Sequence, residues 1–246
     1  MSYSYFAFYY DALTQNVDYS RRADYILMLL KERKHDPGVT LDLACGTGSL
    51  TLALAQRGID VFGADLSSEM LTQAKDKAYE ADKEILFLQQ DMQKLNLYGK
   101  VDTVICALDS INHLKNLEQV RKTFERVYFS LNSHGCFVFD VNTRYKHRYI
   151  LANNAFVFDT PNVYCVWQNF LQEDDSIHIV LDFFEQQGKG YIRSSENFVE
   201  RAYEIKDLKK ILLETGFETI KIYNELTFDE PTKESQRLVF VCQKGK

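Results

Sequence analysis

Residues 41–50, LDLACGTGSL, place two glycines between an apolar run and the start of a helical pattern. Gly46 and Gly48 fall where a strand hands over to a helix. At such a turn glycine permits positive φ and lets a ligand approach the backbone with no Cβ in the way. The N–H groups opening the following helix can then bind polar or anionic groups. A GxG pair also occurs in plain tight turns, so its neighbours decide the reading.

Those neighbours alternate. Residues 39–44 read as a short buried strand, 50–56 as a helix, 59–65 as a second strand, and 67–81 as a second helix opened by Ser-Ser-Glu. Apolar strands follow at 85–88 and 101–107. Leu117, Val120, Phe124, Val127 and Leu131 then form a helical stripe, and Gly135 leads into CFVFDVN. Strands alternating with helices imply a parallel α/β sheet. Upstream, Tyr19, Ala23, Ile26, Leu27 and Leu30 share one helical face over residues 18–34, and HDPG ends it.

After Asn142 the alternation stops. AFVFD, VYCVWQNFL, IHIVLDFFE and YIRSSENFVE are extended segments parted by TPN, EDDS and QGKG, which predicts an antiparallel insertion over residues 143–200. It is too short to bury its own core and elaborates one domain. Ile205, Leu208, Ile211 and Leu212 restore a helix capped by Gly216. FETIKIY and RLVFVCQ then close the chain as a strand pair over 201–246.

Composition narrows the function classes. With 46% apolar and 26% charged residues, the 246-residue chain has the make-up of an ordinary globular domain. No apolar run approaches the roughly 18 residues of a membrane span, and MSYSYFAFYYDAL lacks the basic region and cleavage site of a signal peptide, so a cytoplasmic location is expected. Cys45, Cys106, Cys136, Cys165 and Cys242 are odd in number and widely spaced, as reduced structural thiols are. A net charge of −6, with no basic stripe, argues against nucleic acid as a partner.

Asp65 ends the second strand 19 positions after Gly46, where a doubly wound fold presents a carboxylate to a ribose diol. Its alternative use, capping the next helix, is already served by Ser67 and Ser68. The dinucleotide fingerprint asks for a third glycine, and Thr51 stands there instead, which counts against a nicotinamide cofactor.

The ordered series DLACGTG, GADLSSEML, QQDMQKL and VICALDSINHL resembles the motifs of the class I S-adenosylmethionine-dependent methyltransferases. YDALTQNVDYSRRADYI resembles the N-terminal helix of their small-molecule members, and the closing helix and strand pair also match. The family's first motif often carries glycine where this chain has Ala44. The resemblance implies a Rossmann-like, doubly wound, seven-stranded, mostly parallel sheet with a C-terminal antiparallel hairpin, plus the antiparallel insertion. It divides the single domain into an N-terminal helical lid (1–35), a cofactor core (36–142), the insertion (143–200) and the closing elements (201–246). By the same resemblance Asp42 and the turn Ala44, Cys45, Gly46 and Gly48 would hold the methionine part of S-adenosylmethionine, and Asp65 its ribose. Leu66 and Met70 would lie near the adenine, Asp91 and Met92 at its amino edge and ring face, and Ala107 with Leu108 beside the methionine. Taken singly, Met70 also suits a helix's core face and Asp91 a helix cap.

A sulfonium methyl is already activated, so positioning can supply roughly 7 to 11 kcal/mol of the barrier. An amine or hydroxyl acceptor must still lose its proton. His113, just past the fourth strand, is the candidate base, with a hydrogen-bonded structural role as its alternative. Tyr10, Asp109 and Asn112 are weaker candidates, and no Cys/His spacing marks a metal. The aromatic N-terminus, Tyr5, Phe6, Phe8, Tyr9 and Tyr10, either folds over the cofactor or simply packs. Tyr164, Trp167, Phe170, Phe183, Phe184, Tyr191 and Phe198 offer the insertion a pocket wall or a homodimer contact. Over residues 155–200, Asp159, Glu173, Asp174, Asp175, Asp182, Glu185, Glu196 and Glu200 outnumber Lys189 and Arg193, which favours a cationic or neutral small substrate. The expected activity is methyl transfer to nitrogen or oxygen of a small molecule, releasing S-adenosylhomocysteine. Methylation of tRNA or protein, a cofactor-binding regulator without turnover, and a nicotinamide-dependent oxidoreductase remain as rivals.

Overall fold

A computed structural model describes residues 4–161 and 163–246, with the side chains of Ser4 and Tyr5 outside the described set. The expected aromatic contribution of Tyr5 and the Asn162 position of the TPN turn therefore lie outside the described residues.

Seven strands form one sheet: β1 (Thr40–Leu43), β2 (Val61–Asp65), β3 (Phe87–Gln89), β4 (Val101–Cys106), β5 (Leu131–Asn142), β10 (Phe217–Asn224) and β11 (Arg237–Lys244). Their order is β10-β11-β5-β4-β1-β2-β3. The strands from β5 to β3 run parallel, whereas β11 pairs antiparallel with both β5 and β10. From β1 the chain winds outward through β2 and β3, then returns to β4 on the other side. The carboxyl ends of β1 and β4 therefore flank a topological switch point, where open α/β sheets bind ligands.

Helices cover both faces. On one side α5 (Leu117–Ser130) and α6 (Ile205–Thr215) bury Phe124, Val127, Leu208 and Leu212 against Leu41, Leu43, Phe137, Phe139 and Phe240. On the other, α2 (Tyr19–Glu32) and α3 (Ser49–Ala55) bury Ala23, Ile26, Leu30 and Leu54 against Ile105, Val138, Val239 and Val241. Burial on both faces explains why these strands read as continuous apolar runs. The third layer-forming helix, α4 (Ser68–Glu80), starts at Ser67, whose Oγ accepts the Met70 N–H at 3.1 Å.

The insertion is a separate antiparallel sheet in the order β6 (Ala155–Asp159), β7 (Val163–Leu171), β8 (Ser176–Gln187) and β9 (Gly190–Arg201). Its inner residues Val163, Cys165, Ile179, Leu181, Phe183 and Phe198 are buried together with Phe6, Ala7 and Leu13 of α1 (Ser4–Leu13) and with Met70. The insertion's core is thus completed by the N-terminus. A π-helical turn at Lys146–Leu151, unexpected from the sequence, leads into it. The closing strands pair as expected, but residues 225–236 connect them, so the link is a loop rather than a tight hairpin. No described helix is long and apolar enough to cross a membrane.

Candidate cofactor and acceptor site

The switch point carries a cavity of about 400 Å³, within the range of small-ligand sites. The glycine turn forms one wall. Ala44, Gly46 and Gly48 have φ of 59°, 54° and 73°, so the chain coils left-handed between β1 and α3. A Cβ on Gly46 would meet no protein atom within 4 Å, whereas one on Gly48 would lie 2.9 Å from Ala74 Cβ. Gly46 therefore opens toward ligand space, and Gly48 lets α4 approach.

Asp65, at the end of β2, accepts the Gly46 N–H on Oδ2 (2.8 Å) and the Ser67 N–H on Oδ1 (2.9 Å). Those bonds lower the cost of its charge, yet burial dominates and lifts its carboxyl above the ordinary value. Asp65, Leu66, Met70, Asp91, Met92, Ala44, Gly46, Leu108, Tyr10 and His113 all line the cavity. Asp91 also accepts the Gln93 N–H at 2.9 Å, so it caps the short turn Met92–Lys94 while facing the cavity. Gln90, Gln93, Ser110, Lys115 and Gln119 line it too, and had not been singled out from the sequence.

Four expected site residues lie elsewhere. Asp42 is buried in β1, accepts the Thr51 hydroxyl at 2.6 Å, and is pushed up to about 7 by its burial. It supports the turn from behind. Cys45 packs toward Phe87 and Ala74, and burial raises its thiol well above the usual value. Gly48 serves packing, and Ala107 belongs to the core beside Ile105.

The opposite wall follows β4. Leu108 and Asp109 are consecutive non-glycine residues with φ of 57° and 54°, a conformation that persists only where surroundings hold it. Asp140 of β5 does so. Its carboxylate accepts both N–H groups, Leu108 at 2.8 Å and Asp109 at 2.7 Å, while Arg237 Nη1 (2.7 Å) and Arg22 Nη1 (3.4 Å) neutralise it. Sequence reasoning missed Asp140, Arg22 and Arg237. The signal available was charge inside the otherwise apolar strands CFVFDVN and RLVFVCQ.

Beyond Asp109, the 3-10 turn Ser110–His113 brings His113 to the cavity. Its ring lies 5.2 Å from Phe198 of β9, and its Nε2 is 4.0 Å from Glu200 Oε1. Asp109, His113 and Glu200 present oxygen and nitrogen atoms all within 4.8 Å of one another. Asn112 is fully engaged as structure, because its Nδ2 donates to the carbonyls of Asn142 (3.1 Å) and Arg201 (2.9 Å) and its Oδ1 accepts the Asn142 N–H (2.9 Å). That bracket holds β9 against the end of β5. Tyr10, on α1, is desolvated, which raises its hydroxyl well above the usual value. It keeps its proton and is suited to donate.

The α1 helix forms part of the cavity wall. Phe6 and Tyr10 line it in an edge-on pair at 5.1 Å. Asp11 accepts from Thr47 Oγ1 (2.7 Å) and pairs with Lys77 Nζ (2.6 Å). A larger recess of about 520 Å³ between Tyr164, Phe184 and Tyr191 shares no residue with this cavity and lacks a glycine turn. Three of the insertion's eight acidic residues are paired with arginine: Asp174 with Arg201, Asp175 with Arg144 and Arg148, Asp182 with Arg193. Glu200 is almost fully buried beside His113.

A doubly wound sheet with a glycine turn after β1 and a carboxylate ending β2 defines a nucleoside-cofactor-binding α/β protein. Comparison with known proteins narrows this class. Residues 40–135 match the family model described as a methyltransferase domain. YqeM of Bacillus subtilis (strain 168) is 34% identical over 248 residues, covering 100% of this chain and 98% of that one. The crystal structure of an S-adenosylmethionine-dependent methyltransferase from Clostridium acetobutylicum ATCC 824 is 30% identical, covers 97% of both chains, and superposes with a TM-score of 0.87. A glycine/sarcosine N-methyltransferase of Parasynechococcus marenigrum (strain WH8102) is 34% identical over 155 residues, 61% of this chain and 54% of that one. The chain belongs to the S-adenosylmethionine-dependent methyltransferases, and S-adenosylmethionine is its cofactor. The cavity suits that cofactor, since open space beside Gly46 adjoins a buried carboxylate at hydrogen-bonding distance from the turn.

Proposed function

We propose that the protein methylates a nitrogen of a small-molecule acceptor. The observation that carries this reading is one cavity holding both the glycine turn with Asp65 and, on its opposite wall, His113. The glycine/sarcosine relative, which acts on amines by its name, points the same way. When bound, S-adenosylmethionine supplies a methyl group on a positively charged sulfur, ready for in-line displacement.

The chain's residues then divide the work. Asp65 takes the ribose hydroxyls, which it can accept alongside its two backbone bonds because each carboxylate oxygen has two lone pairs. Asp91 and Met92 receive the adenine edge and face. Leu108, held by Asp140, borders the transferring group. His113 Nε2 accepts the proton that the acceptor nitrogen must lose. Tyr10 donates a hydrogen bond from α1, and α1 itself is the lid that excludes water. The inserted sheet caps the acceptor side.

Calorimetric titration with S-adenosylmethionine, S-adenosylhomocysteine and NADH tests the cofactor half. Asp65→Ala should weaken both adenosyl ligands by more than about tenfold, or 1.4 kcal/mol, and NADH should give no heat. Formation of S-adenosylhomocysteine over a panel of small amines and alcohols tests the acceptor half. Turnover confined to alcohols would overturn nitrogen as the acceptor.

A further inference from the structure

Glu200 ends the inserted sheet almost fully buried, 4% exposed, beside a group of charges that does not balance. Arg22 and Arg237 are shared among Asp109, Asp140 and Glu225, with Arg237 Nη1 2.6 Å from Asp109 and 2.7 Å from Asp140, and Arg22 Nη2 2.6 Å from Glu225. Lys146 adds a third cation, its Nζ 2.9 Å from Asn142 Oδ1 and its charge acting on Glu200. Against these three cations stand four carboxylates, counting Glu200. One positive charge is missing.

Hydrogen bonding around Glu200 is also incomplete. Among the described residues its donor is Asn142 Nδ2, at 3.2 Å on Oε2. His147 lies on the far side, its Nδ1 2.8 Å from the Asp175 carbonyl oxygen, so Nδ1 carries the hydrogen and donates. Nε2 is then a lone pair. It is completely buried, has no hydrogen-bond partner among the described residues, and points at Glu200 Oε2 from 3.9 Å. A buried acceptor facing a carboxylate without a donor between them is unfavourable.

The carboxylate excess falls on the His113 side of Glu200, where Oε1 stands 4.0 Å from His113 Nε2, while His147 faces Oε2 from the other side. Because the facing atoms of Asp109, His113 and Glu200 lie within 4.8 Å of one another, a point equidistant from them is no more than about 2.8 Å from each, within reach of an N–H···O or N–H···N bond. We propose that this triangle seats the protonated amine of the acceptor, and that Glu200 selects a small primary or secondary amine over a neutral alcohol. The inference rests on the methyltransferase reading above and names its substrate class. A divalent metal fits less well, since four carboxylates against Arg22, Arg237 and Lys146 leave one charge to balance and not two.

The chemistry balances there. One ammonium proton passes to His113 Nε2, which stands 4.0 Å from Glu200 Oε1. The freed nitrogen lone pair bonds to the methyl carbon as the carbon–sulfur bond breaks and its electron pair stays on sulfur. The product amine leaves with the positive charge that the sulfonium brought, and His113 returns its proton to solvent.

Sinefungin tests this without knowledge of the acceptor, because it carries a protonated amine on carbon in place of the methyl-bearing sulfur. Its Kd and that of S-adenosylhomocysteine are measured by calorimetry on the full chain, for wild type, Glu200→Gln and Glu200→Asp. Sinefungin should bind wild type at least about tenfold more tightly. Glu200→Gln should reduce that preference below about threefold while leaving S-adenosylhomocysteine unchanged, and Glu200→Asp, which keeps the charge, should restore part of it. Equal affinities of the two ligands for wild type overturn the assignment, even if Glu200→Gln fails to fold. So does a preference that Glu200→Gln leaves intact. Absence of S-adenosylhomocysteine binding brings down the cofactor reading itself, a result distinct from both.

Discussion

At the scale of single residues, the two glycines of the first turn do different jobs. Both have positive φ, so alanine at either costs about 1–2 kcal/mol of backbone strain. At Gly48 the new Cβ also meets Ala74 at 2.9 Å and the Phe87 ring at 3.2 Å, which adds overpacking. Gly48→Ala should therefore lower the melting temperature more than Gly46→Ala, while Gly46→Ala should weaken S-adenosylhomocysteine binding more, since its Cβ enters ligand space. Melting curves and calorimetry on both variants check the inversion. Asp42 is the other informative residue. Its carboxyl is pushed up to about 7 by burial, from an unfolded value near 4. Between those two values the folded protein holds a proton that the unfolded chain has lost. Asp42's contribution to stability is therefore full below about pH 4 and is lost as pH rises to about 7. Asn at this position keeps an acceptor for Thr51 and cannot ionise. Urea unfolding at pH 5 and pH 8 should show wild type losing more stability over this interval than Asp42→Asn, and equal losses would contradict the stated cause.

At the scale of elements, α1 contributes Phe6 and Tyr10 to the cavity wall. Its polar attachments include the Phe6 N–H, which donates to Glu196 Oε1 at 3.1 Å, and Asp11, which joins the glycine turn through Thr47 and α4 through Lys77. Asp11 is partly exposed, and such pairs contribute at most about 1 kcal/mol. Asp11→Ala should thus weaken S-adenosylhomocysteine by no more than about fivefold, with the effect shrinking at high salt, and mainly by faster dissociation in stopped-flow displacement. The sequence showed an aromatic N-terminus but not its partner. Phe6 stacks obliquely on Phe198 at 5.8 Å and Tyr9 on Phe183 at 5.7 Å, contacts between segments nearly the length of the chain apart. Helix boundaries, by contrast, were legible to within a few residues, because Asp18, Ser67 and Asn116 cap α2, α4 and α5 through bonds to N–H groups three residues on.

At the scale of the whole molecule, the inserted sheet and α1 bury one apolar cluster together. The buried face of β7, β8 and β9 is covered by Phe6, Ala7 and Leu13. Removing residues 1–13 should leave β1 and β4 protected in hydrogen exchange while amides of β7 and β8 exchange at least about tenfold faster. Uniform loss of protection would show the two parts to be inseparable. The sequence by itself determined the parallel sheet, the order of its elements and most of the cofactor wall. Those features arise from local signals: apolar runs, caps, and a glycine turn with Asp65, Met70 and Asp91 at short separations along the chain. Only the tertiary structure decided the side on which Asp140, His113 and Glu200 stand. Asp140 clamps Leu108 and Asp109, and Glu200 reaches His113, because β5 pairs beside β4 and because Asn112 ties Asn142 to Arg201. Such long-range pairings leave no periodic trace in the residues they join, so the second half of the site appears only once the chain has folded around the first.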